Sequence, residues 1–435
     1  MVRTFDFLAP SLHPNTLLDI SIPEPGPSAI DPVVRHLPIK YGENKAVGGI
    51  KRMAQTPNGH IVVTDDAFRI STLSLDSSEQ DKPAIPTIVS QEEVPHRAGD
   101  TWSGLVPVQS GTISALTSGL LTLRPYASSE PSSSRTVLSP LLALSSSGAS
   151  ATSFALAGKE VDVSLWDVEA TFTGSTGDAT GGASGSGGKR KKNELERGEI
   201  WRAKNMPNNS LALRPPNHHL CLTHLALLGP NHLASGTKSG TIRTYDTRQR
   251  KPVQEWKAAR EGGVGSIAQG ASEHEVYFSD RANLLGALDL RNGRLIHSYP
   301  NMSCTAHHLL PLPTDSSSSS NLTIGLATIA SDAGLRIHST LPPKREGDKG
   351  NVGSGHKAKV EAMVGGVGIG SFLWKGHGVI EEKVVKKAVA DGEEDEEDDE
   401  GSSGDEEEMW EGMSEVEDSG SESDEEPAPK KKSKK

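Results

Sequence analysis

A recurring order of short strands and turns constrains this chain more than any other feature. Residues 221–256, CLTHLALLGPNHLASGTKSGTIRTYDTRQRKPVQEW, read as strand, turn, strand, Gly-containing turn, strand ending in an aromatic-Asp pair, turn and strand. Residues 263–299 repeat that order, and a third copy runs from Cys304 to Thr340 around a serine loop at 316–320. Upstream, 47–89, 101–138 and 138–203 carry it more loosely. The apolar runs, such as HIVVTDD (60–66) and VDVSLWD (161–167), are short and bounded by Gly, Asp, Asn or Ser, which is the signature of strands. No helical stripe longer than about three turns occurs, so the fold class is all-β.

Each copy has four strands in roughly 40 residues, the spacing of a WD-repeat blade. The third strand closes on Trp166-Asp167, Tyr245-Asp246 or Leu288-Asp289 in the clearest copies. A four-stranded unit cannot cover both of its faces alone, whereas radial stacking covers them and leaves only short edges. Six copies are countable. A seventh is expected from LLDISI (17–22) together with VGIGSFLW (367–374), closing the ring with strands from both ends. The expectation is a seven-bladed WD40-type β-propeller over 1–380, with a β-sandwich plus a second β domain as the competing arrangement. Two polar, basic insertions interrupt it, at 174–198 and 342–359, and the first is expected between the third and fourth strands of one blade.

Charge separates a tail from this body. Residues 391–429 hold 21 acidic side chains and no basic one, and 430–435 add five lysines. The chain is −12 overall, yet residues 1–390 carry 40 Lys+Arg against 36 Asp+Glu. Residues 385–435 therefore read as a disordered acidic tail ending in a basic cluster. No apolar run of about 18 residues or more suggests a membrane span. The N-terminus lacks the apolar core of a secretory signal. With only Cys221 and Cys304, no disulfide framework or zinc cage is expected, which points to a reducing compartment.

Catalytic constellations are absent from the sequence. GGVGS (262–266) and GTKSGT (236–241) lack the Gly-Lys-Ser/Thr ending of a phosphate loop and read as blade turns. His218-His219 and His307-His308 are adjacent pairs, so in strands their side chains point to opposite faces and cannot chelate one metal together. The two thiols read as small buried hydrophobes. The expectation is a protein that is not an enzyme, with no cofactor, no metal and no small-molecule substrate.

Cations cluster instead at blade corners. Asp246-Thr247-Arg248 and Asp289-Leu290-Arg291 follow the third strands of consecutive blades, with Arg243, Arg250, Lys251, Arg281 and Arg294 nearby. Such a triplet can be an ion pair that fixes the corner, or a docking surface like that of cullin-type ubiquitin-ligase receptors. Neighbouring cationic loops also suit phosphate backbone or an acidic partner. The connector EIWRAKNMPNNSLALRPP (199–216) is longer than a turn requires. It can pack Trp201 and Leu213 on the propeller, or present Arg202, Lys204, Asn205 and Arg214 to a partner. The contact set expected from these segments is Arg202, Lys204, Asn205, Arg214, Arg248, Arg250, Arg291 and Arg294.

Across 199–340 the chain resembles the Nop-seven-associated WD-repeat family of large-subunit ribosome assembly factors. The resemblance is carried by Ala-Lys-Asn (203–205) followed by Leu-Ala-Leu-Arg (211–214), by the YDTRQRKPV string at 245–253, by DLRNGRL at 289–295 and by IASDAGLRIHST at 329–340. Residues 40–170 match only in layout. The resemblance implies a non-catalytic seven-bladed propeller in the nucleus and nucleolus. Its implied partners are pre-60S assembly proteins and ribosomal RNA, and a nuclear AAA-type ATPase is implied to remove it. Two departures stand out. MVRTFDFLAPSLHP replaces the family's opening apolar strand and Gly-Asp turn, which puts the seventh blade's completeness or the gene start in question, and the basic glycine loop at 174–192 is expanded.

The tail fits a nuclear role on its own residues. Lys189, Arg190, Lys191 and Lys192, and Lys430, Lys431, Lys432, Lys434 and Lys435, form basic clusters of the kind read by import receptors. Ser402, Ser403, Ser414, Ser419, Ser421 and Ser423 are interleaved with acidic residues, several in a pattern suited to an acidophilic kinase. Met409 and Trp410 form an apolar pair expected to dock in a partner's groove. The competing account of such a tail is simple solubility.

Overall fold

Residues 275–280, Glu-Val-Tyr-Phe-Ser-Asp, show how the sequence generates the architecture. Side chains alternate across a pleated strand. Val276 and Phe278 face Leu225, Ala234 and Ile242, which precede them in the chain. Tyr277 faces Leu326 and Ala330, which follow. A strand apolar on both faces needs a sheet on each side. The computed structural model meets that need seven times over. It describes residues 2–24, 31–76, 84–127, 130–173, 195–208, 211–300, 302–313, 323–340, 356–357 and 359–380.

The first three strands are β1 (Val2–Pro10), β2 (Thr16–Pro23) and β3 (Val33–Pro38). Blade 1 is β4 (Ile50–Gln55), β5 (Ile61–Asp65), β6 (Arg69–Asp76) and β7 (Ile85–Glu93). Blade 2 is β8 (Trp102–Val108), β9 (Gly111–Leu116), β10 (Leu120–Pro125) and β11 (Ser133–Thr136). Blade 3 is β12 (Leu141–Ser146), β13 (Ser153–Gly158), β14 (Ser164–Asp167) and β15 (Glu199–Arg202). Blade 4 is β16 (His219–His224), β17 (His232–Thr237), β18 (Thr241–Asp246) and β19 (Gln254–Lys257). Blade 5 is β20 (Val264–Gln269), β21 (Glu275–Asp280), β22 (Leu285–Asp289) and β23 (Arg294–Ser298). Blade 6 is β24 (Ala306–Pro311), β25 (Thr323–Ala330) and β26 (Leu335–Thr340), completed after β27 (His356–Lys357) by β28 (Val360–Val364). Blade 7 joins β29 (Leu373–Ile380) to β1, β2 and β3.

The fold is therefore an all-β seven-bladed propeller. Among the described residues, seven apolar clusters occupy the seven blade interfaces, one each. Burial of these strand faces supplies the main driving force for closure.

Ring closure differs from the sequence expectation in its detail. The segment MVRTFDFLAP is itself a strand, β1, and sits between β29 and β2. Phe5, Phe7 and Ala9 alternate into the interface with blade 6, which is the physical reason it pairs. The last strand begins at Leu373, not at residue 367. Val367 instead makes an isolated bridge with Ser11 and packs in the same cluster. Blade 7 is thus complete, with three strands from the N-terminal segment and one from 373–380.

Because each blade is antiparallel in sequential order, its third-to-fourth connection lies at the same end as its first-to-second one. The first insertion falls in such a third-to-fourth connection, preceded by a short helix, α1 (Val168–Phe172), that the sequence reading did not include. Asp167 caps this helix by accepting from the Ala170 amide at 2.7 Å. The second insertion occupies the equivalent connection of blade 6. From it, β27 adds to blade 5 in parallel with β23, also unanticipated.

Candidate interaction surface at the blade corners

The Asp-x-Arg triplets form the same turn after β18 and after β22. Asp246 Oδ1 accepts from the Arg248 amide at 3.0 Å and from Arg248 Nε at 2.9 Å, while Oδ2 takes Nη2 at 2.7 Å. Asp289 repeats this with Arg291 at 2.9, 3.0 and 2.8 Å. The carboxylate thus closes the turn locally, as the corner-fixing ion pair requires. Arg248's hydrogen bond holds the Asp246 carboxyl down at about 2. At Asp289, burial pushes upward, but the bonds and charge of Arg291 together outweigh it and the carboxyl is held low.

Each guanidinium spends only its Nε–Nη2 edge on its aspartate. The Arg248 and Arg291 side chains remain 69% and 57% exposed. No partner for their Nη1 groups occurs among the described residues. Both corners therefore present a cation whose orientation is already set. Arg294 lies in the second corner, exposed, its amide donating to Asn292 Oδ1 at 2.8 Å.

A tryptophan from the preceding blade braces each corner. Trp201 Nε1 donates to the Gln249 carbonyl at 3.0 Å, and Trp256 Nε1 to the Leu290 carbonyl at 2.9 Å. Gly293 has φ +68°, and a Cβ there would stand 2.3 Å from the Trp256 ring, so only glycine lets the turn lie flat on the indole. This latch was missed in the sequence. Its signal was a tryptophan at the fourth strand in both EIWR and QEWK.

The connector 199–216 is anchored along part of its length. Trp201 packs edge-on to Tyr245 at 6.0 Å. The Lys204 amide donates to the Arg250 carbonyl at 2.7 Å, and Arg250 Nε returns a bond to the Arg202 carbonyl at 3.1 Å. Arg202 is ion-paired to the buried carboxylate of Glu199. Asn205 Nδ2 donates to the Pro215 carbonyl at 2.9 Å, and its Oδ1 accepts the Met206 amide at 2.8 Å. Leu213, expected to pack, has an exposed side chain.

The eight expected contact residues thus divide. Arg202 and Arg250 spend polar groups on holding the connector to blade 4, and Asn205 spends its amide within the connector. Lys204, Arg214, Arg248, Arg291 and Arg294 are exposed. Arg202, Lys204 and Arg250 meet directly, with Arg248 in the same turn, and Arg291 and Arg294 share the next blade's corner. Arg243 does not belong to the rim, because it is buried against Glu255 at 2.8 Å. Met409, Trp410, Lys189, Arg190, Lys191, Lys192, Lys430, Lys431, Lys432, Lys434 and Lys435 lie outside the described residues.

His218 precedes β16, whose first residue is His219; in β24, His307 Nε2 lies 2.8 Å from Ser331 Oγ and His308 Nε2 3.0 Å from Arg52 Nη1. His219 is buried between Ser235 Oγ at 3.0 Å and Asn217 Oδ1 at 2.7 Å, and burial lowers it to about 3. Cys221 and Cys304 are free thiols, and burial pushes Cys221 up to about 12. Among the described residues, no group of three or more His, Cys, Asp or Glu side chains could hold a metal ion. No described helix is long and apolar enough to cross a membrane. The turn expectation for GGVGS holds, since Gly263 has φ +89°.

Neither a protein-family model nor a curated protein matches the sequence. Among solved structures, a chain of the mitotic checkpoint complex crystal structure is similar to this one over 72% of its residues and 79% of that chain, with 10% identity and a TM-score of 0.48.

Proposed function

We propose that this chain is a non-catalytic scaffold in assembly of the large (60S) ribosomal subunit, acting in the nucleolus. It binds precursor particles, supports ribosomal RNA processing and turns over no substrate. The observation that carries this reading is the pair of braced Asp-x-Arg corners on consecutive blades. Each holds an exposed guanidinium in fixed orientation, and Lys204, whose amide donates to the Arg250 carbonyl, adds charge beside the first. Fixed, exposed cations on neighbouring loops suit the phosphate backbone of structured RNA or an acidic assembly protein, and such contacts position without reading sequence. The same corners and connector are the segments that resemble the ribosome-assembly family.

Affinity purification of the tagged full chain tests the reading. Recovery of large-subunit assembly proteins with precursor ribosomal RNA, and of a nuclear AAA-type ATPase, is the expected result. Recovery of a cullin adaptor without ribosomal precursors would replace it with a ubiquitin-ligase receptor.

A further inference from the structure

The inner strands enclose a central channel of about 260 Å³, lined among others by Arg52, Ser103, Ser266, His307, His308 and Ser371. Arg52, on β4, carries a charge into this space without a carboxylate partner. Its one partner among the described residues is His308 on β24, whose Nε2 lies 3.0 Å from Arg52 Nη1. A guanidinium only donates, so the nitrogen it meets must offer a lone pair and the imidazole is neutral. Burial, then the Arg52 charge, holds His308 far below its usual range. Burial also disfavours the charged form of Arg52, and no acidic group offsets that.

A cation lining the channel with unfilled donors attracts an anion. The protein supplies none here. Ser103 Oγ donates to the Leu141 carbonyl at 2.8 Å and Ser266 Oγ to the Ala306 carbonyl at 3.0 Å, and both hydroxyls are neutral. Arg52 Nε and Nη2 have no hydrogen-bond partner among the described residues, and that edge matches two oxygens of one oxyanion. The volume holds several waters and accommodates a tetrahedral oxyanion with part of its hydration shell.

We propose that the central channel is a binding site for a small free oxyanion of the phosphate class, anchored by Arg52. The position gives the ligand a structural consequence. Arg52 belongs to blade 1 and His308 to blade 6, and beside them Ser371 Oγ accepts the Met53 amide at 2.5 Å. The ligand therefore sits where the first and last parts of the propeller meet, and its binding stabilises the closed ring by mass action.

Thermal unfolding and calorimetry of the full chain test this, with inorganic phosphate titrated against chloride at matched ionic strength. Phosphate should raise the unfolding temperature of the wild type and of the surface variant Arg97→Gln alike. Arg52→Gln should lose the increment, with affinity reduced about tenfold or more. In phosphate-free buffer, Arg52→Gln should be no less stable than the wild type. An equal increment in Arg52→Gln, a loss of it in Arg97→Gln, or no increment in the wild type would each overturn the proposal. Should Arg52→Gln fail to fold, wild-type crystals soaked in tungstate decide the matter. An anomalous peak within hydrogen-bond reach of the Arg52 guanidinium supports the site, and a channel without one refutes it.

Discussion

The indole of Trp256 donates to the carbonyl of Leu290 over 2.9 Å, pinning the fourth strand of blade 4 to the corner of blade 5. Trp201 does the same one blade earlier, with the Gln249 carbonyl at 3.0 Å. The corners are thus held twice, by their own aspartate and by a neighbour's indole. Trp256→Phe keeps an aromatic ring but removes the donor and part of the indole's packing surface. It should cost about 1–2 kcal/mol. Denaturant titration should show a lower midpoint at unchanged slope.

Ion pairs in the turns should differ in worth according to burial. Asp332 pairs with Arg336, whose side chain is only 6% exposed, whereas Arg248 is largely in solvent. Asp332→Asn should cost about 2 kcal/mol at neutral pH, less than in a fully buried pair because Asp332 itself is partly exposed. Asp246→Asn should cost less than Asp332→Asn, because solvent screens the exposed Arg248 charge. The sign with pH follows from Arg336 holding Asp332 down at about 2. Its contribution is complete above the unfolded carboxyl's pKa of about 3.9 and is lost as pH falls through 2. Comparing the variant with the wild type in urea at neutral and strongly acid pH checks both statements.

Glu275 should act in the opposite sense. Burial raises its carboxyl to about 7, although the Ala271 and Ser272 amides donate to it. Above the unfolded pKa of about 4.3 the unfolded chain releases this proton and the folded chain retains it. Glu275 therefore costs stability increasingly from about pH 4 to pH 7, on the order of 3 kcal/mol in all. Glu275→Gln should remove that slope. The buried His219 and His338, both lowered to about 3, destabilise as pH falls below 6.5, but equally in both proteins. Unfolding free energy at several pH values, read as variant minus wild type, isolates Glu275.

What the sequence made legible was local. Tyr245-Asp246 and Leu288-Asp289 mark strand ends by residue type alone, and six blades follow from that repeated order. The opening strand was harder to read, because Leu8 and Pro10 break up an alternation of Phe5, Phe7 and Ala9 that only its neighbours β2 and β29 make meaningful. Arg202, Asn205 and Arg250 looked like contact residues because charge and amide groups are visible in sequence, but their partners are not. Glu199 is three residues from Arg202, yet the Arg202 carbonyl that engages Arg250 is 48 residues away. The meeting of Arg52 and His308 spans 256 positions and arises only from ring closure. No local pattern encodes it.

Sedimentation of the tagged chain with large-subunit precursor particles tests the central claim most directly. The wild type should co-sediment. Arg248→Glu, Arg291→Glu and Arg294→Glu combined should release it to the top of the gradient while the chain still unfolds cooperatively, and moderate salt should mimic the release. A wild type that never enters such particles, or a triple variant that sediments as the wild type does, would contradict the account.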